Sequence, residues 1–179
     1  MKKVIFSLLI LIMFCGCSNE TKVNVIKNDY ECLNDKYLKV TIQDNKMEKI
    51  DYSKFEDIKK NVGAIYFCTP TSNYCRNNIE VFIEIINDLE LNNIYYIDLS
   101  VKDDNYKTFI KNYNKDEDLK YGDVILFGES KIIDKLSLDI VEPKEKLSEE
   151  EVKKEYKRLY DFLVQLNDPD ICEKDSSGC

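Results

Sequence analysis

The chain has 179 residues with 26 basic and 34 acidic side chains, a formal net charge of −8. That balance argues against nucleic acid and against direct adhesion to anionic lipid headgroups. No histidine occurs, which removes the commonest metal ligand and general base and with them any Cys-His or Ser-His-Asp mechanism. No Gly-rich phosphate loop appears and no CxxC can start a zinc site, so neither a cofactor nor a metal is expected.

Lys2 and Lys3 precede an apolar run from Val4 to Phe14, interrupted by Ser7. The run is shorter than the roughly 20 residues of a membrane-spanning helix and reads as a signal peptide over residues 1–16. Gly16-Cys17 resembles the lipobox of bacterial lipoproteins, in which a small residue precedes a cysteine that is acylated and becomes the first residue after cleavage. Cys15 does not fit, because bulky Phe14 would occupy the cleavage position, and Phe14 also stands where lipoproteins usually carry leucine. The resemblance implies a bacterial lipoprotein anchored through Cys17 on the extracytoplasmic face of the cell membrane. Residues 1–16 hold two lysines and no acid, so the mature chain keeps 24 basic and 34 acidic side chains and a charge of −10. Its 163 residues suit one domain with its own core.

Residues 17–36 are polar and without periodicity, a tether that lifts the domain off the membrane. Tyr37 to Gln43 alternates as a first strand. Ser53-Lys54-Phe55-Glu56 has the capping-box pattern and opens a short helix with Phe55 and Ile58 inward, which Gly63 ends. Ala64 to Phe67 is a buried strand. From Cys75 to about Leu91, Ile79, Phe82, Ile85, Ile86 and Leu89 recur at helical spacing, and Val81 and Ile83 widen the stripe. Asn92-Asn93 breaks that helix. Ile94 to Leu99 is a further buried strand, and Asp103 to Tyr113 a helix with Tyr106, Phe109 and Ile110 inward. Lys115 to Lys120 is a solvated loop. Val124–Phe127 and Lys131–Leu136 flank Gly128-Glu129-Ser130 as a hairpin. A second capping box, Ser148 to Glu151, starts a helix to about Leu166 whose stripe is Val152, Tyr156, Leu159, Tyr160, Leu163 and Leu166. Residues 167–179 form a polar tail expected to be disordered.

Seven cysteines become five thiols after processing and lipidation: Cys32, Cys68, Cys75, Cys172 and Cys179. The odd number leaves at least one free or paired between molecules. Cys172 and Cys179 lie close enough in the tail for a local disulfide loop. Cys75 follows an apolar strand and a Pro70-containing loop, at the first turn of a helix. There the free N–H groups and the charge of Arg76 lower a thiol pKa. The plainer reading of Cys75 is a small buried thiol packing at a helix start.

The order β-α-β-α-β-α-β-β-α over residues 37–166, with a cysteine opening the second helix, resembles the thioredoxin fold: an α/β domain with a central mixed sheet and helices on both faces. The loop Pro70-Thr71-Ser72-Asn73-Tyr74-Cys75-Arg76 is similar to the Pro-Thr-Cys-Pro-Tyr-Cys-Arg loop of bacteriocin transport accessory-type thioredoxin-like proteins. Three departures stand out. Ser72 holds the place of the first, nucleophilic cysteine, which excludes ordinary CxxC turnover and leaves a hydroxyl able to hydrogen-bond a Cys75 thiolate. Cys68 adds a thiol where that family often has glycine, so that a substitute pair Cys68–Cys75 becomes possible. Gly122-Asp123-Val124 stands where family members carry a cis-proline that faces the cysteines, putting the usual mode of substrate binding in doubt. Asp123 is an exposed loop acid by ordinary statistics, or else a buried carboxylate tuning Cys75. The resemblance implies thiol–disulfide chemistry on extracytoplasmic protein thiols or disulfides, centred on Cys75 with Cys68 and Ser72. Its alternative is a non-catalytic scaffold serving a protein of an export system.

Overall fold

The computed structural model describes residues 46–114, 117–137 and 147–173. The signal peptide, the lipidation cysteine Cys17, the tether with Cys32, the expected strand Tyr37–Gln43 and the tail thiol Cys179 lie outside the described residues. Among the described residues no helix is long and apolar enough to cross a membrane.

Among the described residues the first strand, β1, is Glu48–Lys49. A short 3-10 turn over Tyr52–Lys54 then runs into helix α1, Phe55–Ile58. The cap here is Asp51, whose Oδ1 takes the Ser53 N–H at 2.8 Å and also receives its hydroxyl. The expected Ser53 capping box therefore does not form: an acid two residues upstream reaches the Ser53 backbone and side chain together. Gly63, expected to end the helix, instead opens strand β2, Gly63–Cys68, in which all six residues are buried.

Helix α2 spans Asn73–Asp88, strand β3 Ile94–Asp98 and helix α3 Asp104–Tyr113. Strands β4, Asp123–Gly128, and β5, Lys131–Leu136, form the hairpin. Its turn is only Glu129-Ser130, both at positive φ (50° and 68°), the geometry that matches the twist of the flanking strands. Helix α4, Glu149–Leu163, opens on the expected capping box, with Ser148 Oγ accepting from Glu151 N at 3.3 Å and Glu151 Oε2 from Ser148 N at 2.8 Å. It continues as a 3-10 turn to Asn167. The tail is ordered further than expected: Ile171–Glu173 makes one more 3-10 turn, because Ile171 is an apolar anchor, 2% exposed, in the core.

The five strands among the described residues form one mixed sheet in the order β1-β3-β2-β4-β5. β1 and β2 lie parallel to β3 on either side of it, while β4 is antiparallel to both β2 and β5. Parallel neighbours need a crossover, and α2 supplies the one between β2 and β3. This is the expected α/β architecture, a central mixed sheet with helices on both faces, in a thioredoxin-like succession of elements.

Alternation along β2 builds two cores. Ala64, Tyr66 and Cys68 join Val124, Leu126 and the inner sides of α2 and α4, including Ile79, Phe82, Leu159 and Leu163. Ile65 and Phe67 join Ile97, Ile125, Phe127 and the aromatic cluster of α1 and α3. Phe109 packs there against Phe55, Phe67 and Tyr52 at ring distances of 5.1, 5.8 and 5.6 Å.

Candidate functional site: the Cys68–Cys75 disulfide

Cys68 is the last residue of β2 and Cys75 the third residue of α2. The peptides between them turn back on themselves, with Ser72 N donating to Thr69 O at 3.1 Å. That turn brings the two Cα atoms to 5.6 Å, and the sulfurs are bonded. The separation falls within the range a disulfide spans without backbone strain. Both cysteines are 0% exposed, while Thr71 at the loop tip is exposed.

Each surrounding group has a definite task. Ser72 is the N-cap of α2: its backbone is extended and its Oγ accepts the Cys75 N–H at 3.3 Å. The serine in the first-cysteine position thus satisfies a helix-end donor. The Thr69 N–H donates to Cys75 Sγ at 3.3 Å. Arg76, 2% exposed, is buried in the same turn.

Tyr74 ties this corner to α4, which packs beside α2 in the same core. Its hydroxyl donates to Glu155 Oε2 of α4 at 3.2 Å, and Arg158 Nη2 donates to the same carboxylate at 2.8 Å and to the Tyr74 oxygen at 3.4 Å. Burial pushes the Tyr74 phenol well above its ordinary pKa, with Tyr66 and Glu155 adding and Arg158 opposing. Tyr74 is a neutral donor at any physiological pH. Tyr66, two residues before Cys68, is likewise held neutral by burial first and by Glu155 second, and its ring stacks on Phe82 at 4.3 Å. The Tyr74–Glu155–Arg158 network was not anticipated from sequence. The one available signal was a charged pair spaced i,i+3 beside the apolar stripe of α4.

The loop entering β4 also differs from expectation. Gly122 has φ +88°, and a Cβ there would collide with the Tyr74 ring. Its N–H donates to Phe67 O at 2.8 Å. A left-handed glycine therefore stands where a proline was the reference, because Tyr74 occupies the adjoining space. Asp123 is not the exposed acid that statistics favoured but 0% exposed. Its register partner is Phe67, so it lies on the sheet face opposite Cys68. There its Oδ2 accepts from Lys120 N at 3.0 Å and faces Lys135 Nζ at 3.7 Å. A tuning contact from Asp123 to Cys75 has no geometric basis, since the sheet separates them.

Cys172 carries a free thiol, partly buried. Its sulfur would lie 2.9 Å from a Cβ on Gly128, the last residue of β4. Burial pushes this thiol's pKa up, Glu129 adds to the rise and Lys131 opposes it. The disulfide is at the other end of the six-residue strand, roughly 17 Å away at a strand's rise per residue, so Cys172 does not reach it. Cys179, the partner expected for Cys172, lies outside the described residues.

Neither a protein-family profile nor a curated protein sequence matches the chain. Among solved structures it is similar to thioredoxin of Fasciola hepatica, with 11% identity over 59% of this chain and 88% of that one and a TM-score of 0.35. It is also similar to two crystal forms of human ERp44: 12% identity over 70% of this chain, and 14% over 72%, each with a TM-score of 0.43. The matched region spans 30% and 32% of the ERp44 chains.

Proposed function

We propose that this chain is a lipid-anchored, extracytoplasmic thioredoxin-like protein, bound to the bacterial membrane through Cys17, whose Cys68–Cys75 pair performs slow, specialised thiol–disulfide exchange with exported protein thiols. The observation that carries the chemistry is the bond itself. The pair joins a strand end to the first turn of a sixteen-residue helix, where a released Cys75 thiolate meets the helix N-terminal field and a backbone donor. Ser72 acts as the cap that holds this turn in place. The anchor reading is supported by Gly16-Cys17 behind a short apolar run; incorporation of labelled fatty acid, abolished by Cys17→Ser, tests it.

A second reading has its own support. Both sulfurs are fully buried, and exchange requires access to one of them. A permanent crosslink closing so short a loop contributes about 2.5 kcal/mol in the chain-entropy account, which would suit a scaffold for an export-system partner. Titration of the folded protein in graded dithiol–disulfide buffers, read by peptide mass, separates the two. Exchange predicts reversible reduction of Cys68–Cys75 with the circular dichroism of the fold retained. A bond that opens only in denaturant establishes the scaffold.

A further inference from the structure

On the face of the sheet covered by α2 and α4, buried polar atoms of three side chains have no hydrogen-bond partner among the described residues: Tyr66 Oη, Asn78 Oδ1, and Arg158 Nε and Nη1. Tyr66 and Asn78 are 0% exposed. The three residues come from β2, α2 and α4 and meet in one place. Tyr74, Asn78 and Phe82 stand four residues apart on α2 and so form a row along the helix. At one end of the row the Tyr66 ring stacks on Phe82 at 4.3 Å. At the other the Tyr74 hydroxyl meets Glu155 Oε2 at 3.2 Å and Arg158 Nη2 at 3.4 Å. Asn78 lies between them, its amide nitrogen donating to Tyr74 O at 2.9 Å. The Glu155 and Arg158 charges both act on the Tyr66 phenol, which places its hydroxyl at the Arg158 end of the row.

The chemistry of the orphaned atoms selects the occupant. Tyr66 Oη and Arg158 Nε each offer one hydrogen and Arg158 Nη1 offers two, against the one acceptor Asn78 Oδ1. An apolar group would leave all of them unpaired. An anion would satisfy the donors, but Glu155 Oε2 already neutralises the guanidinium at 2.8 Å, so a second buried negative charge would stand without a counter-charge. Water supplies acceptors and donors together without charge, and a buried water makes about three such bonds. The side chains of Arg158 and Glu155 retain 22% and 16% exposure, which gives water a way in past α4.

We infer that Tyr66, Asn78 and Arg158 form a binding site for internal water between β2, α2 and α4. The water accepts from Tyr66 Oη and from Arg158 Nε and Nη1 and donates to Asn78 Oδ1. More than one molecule is needed, because a water oxygen accepts only about two hydrogens. Solvent thereby joins the strand that ends in Cys68 and the helix that carries Cys75 to α4, in addition to apolar packing. The site does not depend on whether the bridge exchanges or is permanent.

Two measurements on the full-length protein test it. Tyr66→Phe keeps the ring on Phe82 and removes only the hydroxyl. A buried hydroxyl bound to water contributes to stability, whereas one left bare costs stability, so the urea midpoint of Tyr66→Phe should fall below that of wild type. A midpoint that rises or stays unchanged overturns the site. In water-selected nuclear Overhauser spectra of the wild type, the Arg158 Nε–H should show a cross-peak with the sign of long-held water, weakened in Tyr66→Phe. Absence of that peak in the wild type overturns the site whatever the midpoint does, as does a crystal structure in which a carboxylate of the chain occupies the Arg158 Nε and Nη1 donors.

Discussion

At the Asp123 end of β4 two sulfurs are joined and fully buried beneath a helix start; at the Gly128 end a third, Cys172, is unbonded and only partly buried against the hairpin turn. The same residue type has opposite surroundings because the local backbone differs. Cys75 stands in the first turn of a long helix, and its sulfur accepts the N–H of Thr69 from the loop before it. Cys172 belongs to a three-residue 3-10 turn, too short to build a helix-end field, and its nearest charged neighbours include the acid Glu129. Each end also has a glycine in close contact with a side chain, Gly122 with Tyr74 and Gly128 with Cys172. The two glycines are not equivalent, and the inequality can be measured.

Gly122→Ala should have the largest effect. Its φ of +88° disfavours any L side chain, and the added methyl runs into the Tyr74 ring, which is held by Gly122 on one side and by Glu155 and Arg158 on the other. A loss of about 3 kcal/mol or more in denaturant-derived stability is expected, since overpacking and positive-φ strain add. Faster reduction of Cys68–Cys75 should accompany it as the α2 start shifts. Combining it with Tyr74→Ala should recover part of the loss, because the two sites share one collision. Strict additivity would show that Tyr74 does not set the constraint.

The same comparison marks what could be read from sequence. Strand β5 and the Ser148 capping box matched expectation because their signals are local: a short Gly-containing turn before one, reciprocal hydrogen bonds three residues apart in the other. The equally regular Ser53–Glu56 pattern failed, since Asp51 competes for the Ser53 N–H at still shorter range. Cys68–Cys75 was legible as an option once the strand and helix were placed. Asp123, by contrast, looks like loop in sequence and becomes buried only because β4 extends to pair it with Phe67. Tyr74, Glu155 and Arg158 meet across about 80 residues of chain, a distance over which neither periodicity nor motif carries information. Ile171 was lost in a polar tail because one apolar residue has no period.

At the Gly128 end the expected effect is smaller. Gly128→Ala places a methyl 2.9 Å from Cys172 Sγ and 3.1 Å from the ends of the Ile133 and Val62 side chains, all groups that can yield. A loss of about 1 kcal/mol, the low end for overpacking, is expected. Displacement of the Ile171–Glu173 turn should speed alkylation of Cys172 severalfold while the Cys68–Cys75 bridge keeps its wild-type reduction behaviour. A loss as large as that of Gly122→Ala would erase the proposed difference between the two ends.

The slightest effect is the titration of Cys172 itself. Burial disfavours its thiolate, Glu129 adds to that, and Lys131 offsets part of it, so the pKa in the folded protein lies above the ordinary value. The thiolate is the reactive form. Alkylation of Cys172 near neutral pH should therefore be slower in the native protein than in denaturant, with a rate midpoint above the about 8.5 of an unperturbed thiol. The sign for stability follows from proton binding. Between the unfolded and folded pKa values the native state holds the proton that the unfolded chain has released, so stability falls as pH rises through that window and is undiminished below it. Cys172→Ser should flatten this alkaline slope. The readout is mass-resolved alkylation of the Cys172 peptide across pH, with the bridged pair as an unreactive internal reference. A midpoint at or below the unperturbed value would remove burial as the controlling influence, and a Cys172–Cys179 bridge in the native protein would remove the free thiol on which the contrast between the two ends of β4 depends.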